Sequence, residues 1–315
     1  MSGSDHYRGS YAPDVSRPIQ ANTGETGSWG RPHDFGGQGP LIHLAHANGF
    51  PPGTYRPLAE ALADDYHIIG LPARPLWPGS RPEQAPSWRS LADDLIQALD
   101  HLGLRDLVGV GHSLGGVLTM WASIQRPELF RAVVLIDPVI LPPAWLWLAR
   151  LMRALGLGQR QPLVQGALRR RCVWPNRQAC YMHYRHKPLF ARWPDASLWA
   201  YVEAGTRPRA DGQVELVYPP AWEAHIFATT PTDIWRDVPR LAVPALVISG
   251  AHSGILRPKS QALMARLLPQ ARFLVIPEAG HLVPMEQPLA VAAAIRAFLT
   301  TATPRPDPLQ GKNRP

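Results

Sequence analysis

The feature that most constrains the fold is a serine between two glycines, placed where an apolar strand gives way to an apolar helix. Residues 107–110 have the composition of a buried strand, and residues 117–122 continue as a mostly apolar helix. Between them stands Gly111-His112-Ser113-Leu114-Gly115, with the G-x-S-x-G spacing of a nucleophile elbow. Such a turn strains the serine backbone and needs small residues two positions away. The pattern predicts an exposed Ser113 hydroxyl at a helix N-terminus; the alternative is an ordinary glycine-rich turn with a capping serine.

Strands and helices alternate along the chain on both sides of this motif. Apolar runs at 41–45, 67–71 and 131–136 predict buried strands, and helical spacing of apolar residues predicts helices at 55–63 and 87–101. Strands that are apolar along their whole length are typical of a parallel sheet with helices on both faces. In such sheets, ligands bind beyond the carboxyl ends of the strands.

The alternation stops after Asp137 and resumes near residue 245. Between these points, residues 139–238 are rich in Trp, Pro and Arg and contain stretches of helical spacing. Because this segment leaves and rejoins the sheet at strand ends, we expect it to be a helical cap over the ligand crevice. The α/β core then consists of residues 41–138 and 239–302.

The termini and the composition set limits on the class of protein. Residues 1–40 are expected to form an N-terminal extension with room for short edge strands, and residues 303–315 a flexible tail. The extension lacks the basic and apolar regions of a secretion signal, and the chain has only 2 cysteines in 315 residues, which together predict a cytoplasmic protein. The sequence has no Cys/His cluster with zinc-ligand spacing, and we expect neither a metal nor a cofactor.

An activated serine requires a general base, and the base requires a carboxylate that orients it. Of the 12 histidines, His281 is the candidate base, because it follows the last predicted strand on a turn-forming loop. His112 flanks the serine but is expected to point away from it, and His43 lies inside a strand. Asp137 is another polar residue at the carboxyl end of a strand.

These motifs resemble the α/β-hydrolase superfamily, and best its esterase-like branch with a helical cap. The resemblance covers about residues 41–300 and is carried by the elbow motif, by Gly280-His281 followed by Glu286-x-Pro288, and by the cap between strands. The order of nucleophile first and histidine last also matches. The resemblance implies a mostly parallel, eight-stranded sheet with helices on both faces and catalytic residues on loops at its carboxyl edge.

The acid departs from the usual pattern of the family. Its common position is the loop after the strand ending at Gly250, but residues 251–256 contain neither Asp nor Glu. A second arrangement in the family places the acid after the strand that follows the elbow helix, where this chain has Asp137. The resemblance therefore implies that Asp137 orients His281, with Ser253 as an auxiliary hydrogen-bond partner of His281. The alternatives are a turn-forming role for Asp137, and Glu278 or Asp195 as the acid.

An oxyanion hole needs two donors aimed at the developing charge. By similarity to the family, these are the N–H of Leu114, next to the nucleophile, and the N–H of Asn48, in the position of the family's His-Gly-x loop. This chain has Ala47 in place of that glycine, which requires a negative φ there. The side-chain amide of Asn48 is a further candidate donor, and a simple Asn48-Gly49 turn is the alternative.

The resemblance and the three candidate residues together predict a serine hydrolase that cleaves a carboxylic ester of apolar acyl or aryl type through an acyl-enzyme. Alternatives with the same triad are a C–C hydrolase, a lactonase, a thioesterase and a cofactor-free haloperoxidase-like enzyme. A serine at the elbow argues against dehalogenases and epoxide hydrolases, which use Asp there in this fold. A non-catalytic ligand-binding protein of the same fold is the alternative of another class.

The predicted cap is strongly basic. Residues 139–194 contain 10 Arg or Lys and no Asp or Glu, which suits an anionic substrate, an acidic membrane surface or nucleic acid. No groove-reading motif is found, so no nucleic acid is expected, and a solvated cap surface is favoured over peripheral membrane contact. Aromatic residues favour a mainly apolar small-molecule substrate, or else form the core of the cap itself: Trp145, Trp147, Tyr181, Tyr184, Trp193 and Trp199.

Overall fold

The computed structural model describes residues 30–301, except for the side chain of Gln159. Within that range the strands are β1 (His33–Gly36), β2 (Leu41–Ala45), β3 (His67–Gly70), β4 (Leu107–His112), β5 (Phe130–Ile136), β6 (Val173–Trp174), β7 (Thr206–Pro208), β8 (Val214–Leu216), β9 (Ala245–Gly250) and β10 (Arg272–Ile276). The α-helices are α1 (Arg56–Glu60), α2 (Trp88–His101), α3 (Leu114–Gln125), α4 (Pro143–Ala154), α5 (Pro162–Leu168), α6 (Arg177–Arg185), α7 (Asp195–Gly205), α8 (Pro220–Ala228), α9 (Pro258–Leu267), α10 (Val283–Glu286) and α11 (Pro288–Thr301). In this part of the chain no helix has both the length and the apolar composition needed to cross a bilayer.

The central sheet confirms the predicted α/β architecture. Its order is β1-β3-β2-β4-β5-β9-β10, and only β1 runs antiparallel to its neighbour. The described residues thus supply seven strands, where the resemblance implies eight. Strand β1 belongs to the predicted N-terminal extension; residues 1–29 of that extension and the predicted tail at 303–315 lie outside the described residues.

The core lies on both faces of this sheet. Along β5, Ala132 and Val134 belong to the cluster that contains α1 and α11, while Val133 and Leu135 belong to the cluster that contains α2 and α3. Each fully buried Val or Leu side chain contributes about 1.5–3 kcal/mol to folding. Burial on both faces explains why these strands appear in the sequence as continuous apolar runs.

Residues 139–238, called the inserted segment from here on, connect the neighbouring parallel strands β5 and β9. The segment contains α4 to α8 and also a small antiparallel sheet of order β6-β8-β7, so it is not purely helical. These strands have only two or three residues each, too few to show an alternating pattern in the sequence. Aromatic rings pack in its interior, with centroids 4.9 Å apart for both Tyr184–Phe190 and Phe190–Trp193.

Candidate active site

Ser113 occupies the sharp turn between β4 and α3. Its φ of 56° and ψ of −113° lie in a region that non-glycine residues rarely adopt. A Cβ on Gly115 would lie 2.1 Å from the Ala45 carbonyl oxygen, and one on Gly111 would lie 2.3 Å from the Gly115 carbonyl oxygen. Both flanking positions therefore require glycine, as the motif predicts.

His281 lies on the loop between β10 and α10, beside Ser113. The distance from His281 Nε2 to Ser113 Oγ is 2.9 Å, a hydrogen bond through which the ring can take the hydroxyl proton. The loop is held by Glu286, a buried carboxylate on α10 that accepts a 2.7 Å hydrogen bond from the Gly280 N–H. The glutamate of the Glu286-x-Pro288 motif thus fixes the shape of the loop that carries the candidate base.

Asp137 lies just beyond β5, fully buried, with a φ of 42°. Its Oδ1 is 3.6 Å from His281 Nδ1, within ion-pair distance but longer than a hydrogen bond. Among the described residues, neither His281 Nδ1 nor Asp137 Oδ2 has a hydrogen-bond partner. A shift of less than about 1 Å would join the ring and the carboxylate. The structure therefore brings together Ser113, His281 and Asp137, which are distant in the chain.

Ser253 contacts Asp137 and not His281, so the expected hydrogen bond to His281 is wrong. Its Oγ donates to Asp137 Oδ1 at 2.9 Å and accepts from the Ile255 N–H at 3.1 Å, and the Leu256 N–H donates to the same Oδ1 at 3.1 Å. The loop after β9 therefore wraps around the carboxylate and supplies donors to it in place of an acid. The alternative acids, Glu278 and Asp195, are near other residues than His281. Glu278 Oε2 lies 3.7 Å from His252 Nε2, and Asp195 forms an ion pair with Arg185.

The candidate oxyanion donors, Leu114 and Asn48, both line the same cavity as Ser113. The N–H of Leu114 belongs to the first turn of α3, where backbone donors have no partner within the helix. Ala47 is not among the described non-glycine residues with positive φ, so its methyl group is tolerated.

The side-chain amide of Asn48 is held by the inserted segment. Its Oδ1 accepts from the Tyr218 hydroxyl at 2.9 Å, and its Nδ2 donates to the Glu223 carbonyl at 3.1 Å. These bonds engage the amide oxygen and one of the two N–H groups of the amide, and so hold the side chain in place. The backbone N–H of Asn48 remains the first candidate donor.

A buried hydrogen-bond chain, which the sequence analysis does not predict, connects the three loops of the site. His112 Nε2 donates to the His281 carbonyl at 3.0 Å. Burial, assisted by the nearby His281 ring, lowers the pKa of His112 to about 3, so the ring is neutral and its Nδ1 accepts from the Tyr55 hydroxyl at 2.7 Å. That hydroxyl accepts in turn from the Ala47 N–H at 2.9 Å. These hydrogen bonds connect the loop after β2, which carries Ala47 and Asn48, with the turn at Ser113 and with the loop that carries His281.

Ser113 and His281 open into a cavity of about 650 Å³ between the core and the inserted segment. Its walls are largely apolar and include Phe50, Trp88, Leu141, Phe190, Ile226 and Leu282. Of the six aromatic residues expected to favour an apolar pocket, only Tyr184 lines it. Tyr181 and Trp193 are buried in the inserted segment, Trp199 stacks on Tyr181, and Trp145 and Trp147 are exposed.

Basic side chains line one part of the cavity. Arg170 forms an ion pair with Glu223 and hydrogen bonds with the hydroxyls of Tyr184 and Tyr201. Burial and the charges of neighbouring basic residues lower the pKa of His183, which lines the same region. The remaining basic residues of the lining are Arg169, Arg171 and Lys187.

Comparison with known protein families agrees with the position of Ser113, His281 and Asp137 at the carboxyl edge of the sheet. A family model described as the alpha/beta hydrolase family matches residues 44–294. The chain belongs to this family. The match spans the elbow, the inserted segment and the candidate base.

The related proteins act on different kinds of bond. The chain is 28% identical over 266 residues to 2-(acetamidomethylene)succinate hydrolase of Mesorhizobium japonicum, covering 84% of this chain and 89% of that one. It is also 28% identical over 275 residues to haloalkane dehalogenase 2 of Mycobacterium tuberculosis, covering 82% and 87%.

Solved structures show the same fold. E-2-(acetamidomethylene)succinate hydrolase superimposes with a TM-score of 0.72 at 22% identity, covering 86% of this chain and 94% of that one. A thermophilic esterase from Thermogutta terrifontis superimposes with a TM-score of 0.60 at 26% identity, covering 86% and 93%. The relatives are thus hydrolases with different substrates, and the family alone does not select the bond that is cleaved.

Proposed function

We propose that this α/β-hydrolase is a serine hydrolase that cleaves carboxylic esters with an apolar acyl or aryl group. The observation that carries the proposal is the 2.9 Å hydrogen bond between His281 Nε2 and Ser113 Oγ, at the wall of a largely apolar cavity. A nucleophile with a base in hydrogen-bond contact and a carboxylate behind the base is the arrangement that acyl transfer needs.

In the acylation step, Ser113 Oγ attacks the ester carbonyl carbon while its proton passes to His281 Nε2. The resulting imidazolium faces the buried carboxylate of Asp137, which lies 3.6 Å from its Nδ1 and stabilises the positive charge. The N–H groups of Leu114 and Asn48 donate to the negative oxygen of the tetrahedral intermediate. When the intermediate collapses, the C–O bond breaks and the leaving alcohol takes the proton from His281.

In the deacylation step, water attacks the acyl-enzyme carbonyl and gives its proton to His281. The second tetrahedral intermediate collapses, Ser113 Oγ recovers the proton, and the carboxylic acid is released. Every proton transfer in this cycle passes through one ring nitrogen, and no cofactor is required.

The inserted segment is proposed to act as the cap of the site. Trp88 on α2 donates from its ring N–H to the Ile226 carbonyl at 3.0 Å, and both residues line the cavity. Asn48 also accepts a hydrogen bond from the Tyr218 hydroxyl and donates one to the Glu223 carbonyl, and the three bonds together hold α8 over the carboxyl edge of the sheet. The segment thereby encloses the acyl group and shapes substrate choice.

A fluorophosphonate probe and a panel of p-nitrophenyl esters of graded acyl length test the proposal. We expect the probe to label the wild type on Ser113, Ser113→Ala to remain unlabelled, and the rate to rise with acyl length until the cavity is filled. A wild-type protein that binds apolar ligands but neither reacts with the probe nor releases p-nitrophenol would instead support the non-catalytic alternative.

A further inference from the structure

The inserted segment exposes an unusual amount of apolar surface. In α4 only Leu146 is buried, whereas Trp145, Trp147, Leu148 and Leu151 are between 40% and 65% exposed. Nine of the twelve large apolar side chains exposed among residues 30–301 lie between positions 145 and 189. Exposed apolar side chains concentrated in this way mark an interaction surface.

The charged residues of the same stretch are all basic. Residues 139–194 carry 10 Arg or Lys and no acidic residue, which exceeds the net charge of +8 of the whole chain. Within the described part of the chain, neither Arg169 nor Lys187 has an ion-pair partner. We call the exposed apolar and basic side chains between positions 145 and 189 the docking face.

The docking face borders the opening of the catalytic cavity. Leu163 and Leu189 are about 60% exposed and also line the cavity, as do the exposed side chains of Arg169 and Lys187. Helix α4 is held at the same rim, because Arg153 donates to the carbonyl of Thr230, a cavity-lining residue.

We propose that the docking face binds the surface of an anionic lipid bilayer, and that the substrate is an ester dissolved in that bilayer. A helix with Trp and Leu on an exposed face and Arg beside them is suited to lie in the interface, where basic residues are attracted to anionic headgroups. A second copy of the chain is a poor occupant, since it would bring the same positive segment to the contact. The substrate half of the proposal rests on the proposed ester hydrolysis; the docking half does not.

Vesicle flotation tests the docking half without reference to catalysis. The probes are phosphatidylcholine vesicles and vesicles that also contain phosphatidylglycerol. We expect the wild type and Ser113→Ala to float with the anionic vesicles only, and salt to release them. The double variant Leu148→Ser/Leu151→Ser is expected to bind these vesicles at least about tenfold more weakly. A tenfold change corresponds to a loss of about 1.4 kcal/mol of binding free energy.

The control is Leu289→Ser, which removes an apolar side chain that is 73% exposed on α11, far along the chain from the docking face. It should float like the wild type. Trp147→Ser changes a side chain that is 65% exposed, and it should also weaken binding to anionic vesicles. Failure of the wild type to bind anionic vesicles at low salt would overturn the proposal. So would a dimer in light scattering that Leu148→Ser/Leu151→Ser dissociates, because the face would then be occupied by a second copy.

The substrate half is tested by comparing two esters. The Leu148→Ser/Leu151→Ser variant should hydrolyse a water-soluble short-chain ester at the wild-type rate, because neither residue lines the cavity, but should lose about tenfold or more on a long-chain ester carried in anionic vesicles. Equal rates of wild type and variant on the vesicle-borne ester would overturn this half. If the wild type binds vesicles but hydrolyses neither ester, the proposed function is wrong while the docking face stands.

Discussion

Replacing Tyr55 by phenylalanine removes one oxygen atom from the hydrogen-bond chain between Ala47, His112 and His281. The ring of Tyr55 is 1% exposed and keeps its packing, so the change is confined to hydrogen bonding. The hydroxyl accepts from the Ala47 N–H at 2.9 Å and donates to His112 Nδ1 at 2.7 Å. The substitution leaves two buried polar groups without partners.

The loss of stability follows from the number of buried polar groups that are left unpaired. A buried donor or acceptor that loses its partner costs about 1–3 kcal/mol, so two such groups lower the free energy of unfolding by about 2–6 kcal/mol. This is a large part of the total for a protein whose stability is about 5–15 kcal/mol. The hydrogen-bond chain also holds the His281 carbonyl through His112. Because Tyr55→Phe loosens this support of the candidate base, we expect kcat to fall by up to about 100-fold, with KM little changed.

Urea unfolding at pH 7 and ester kinetics measure the two effects on the same preparation. Tyr66→Phe is the matched control, since the Tyr66 ring is 9% exposed and its hydroxyl makes no hydrogen bond within residues 30–301. The control should change the free energy of unfolding by less than about 0.5 kcal/mol. If Tyr55→Phe were as stable and as active as the control, the hydroxyl would not connect the loops and the reasoning would be refuted.

Three further substitutions test the candidate acid, a buried histidine of the sheet and the turn at the nucleophile. Asp137→Asn should lower kcat/KM by about 10⁴-fold, because the amide cannot stabilise the imidazolium. The rate at which a fluorophosphonate labels Ser113 should fall in parallel, and an unchanged rate would exclude Asp137 as the acid. His43→Leu should flatten the dependence of stability on pH. Burial lowers the pKa of His43 from 6.5 to about 3. The free energy of unfolding of the wild type therefore falls by up to about 1.4 kcal/mol per pH unit as the pH falls from 6.5 toward 3. Urea unfolding at pH 7 and pH 5 measures this slope, and equal slopes for variant and wild type would contradict the expectation. Gly115→Ala should abolish activity and destabilise the fold, because the added Cβ would lie 2.1 Å from the carbonyl oxygen of Ala45; a wild-type melting temperature in this variant would show that the turn can relax.

The sequence predicts the ends of the strands well, and through them the positions of Ser113, His281 and Asp137. Ser113 and Asp137 follow apolar runs that are buried on both faces of the sheet, and His281 follows the apolar edge strand β10, in which only Ile276 is buried. Apolar runs are the strongest local signal a sequence contains. The prediction of Asp137 as the acid also depends on residues 251–256, which contain neither Asp nor Glu. The structure places Asp137 beside His281 and shows that this loop donates to its carboxylate.

The contacts between distant parts of the chain could not be predicted. Nothing local in the sequence pairs Tyr55 with His112, or Asn48 with Tyr218, which is 170 positions away. The expected hydrogen bond from Ser253 to His281 is wrong for the same reason, because Ser253 Oγ donates to the carboxylate of Asp137. Trp145 and Trp147 were expected in a pocket or a core, because composition does not say which face of a helix is covered.

The two hydrogen bonds that hold the amide of Asn48 connect the proposed cap to the proposed oxyanion donor. Exchanging residues 139–238 for the corresponding part of a relative would remove Tyr218 and Glu223, the partners of that amide. The backbone N–H proposed to receive the oxyanion would then be left on an unsupported turn. A chimaera that changes the proposed cap should therefore keep both partners of the Asn48 amide; without them, we expect it to bind its new ligand and fail to convert it.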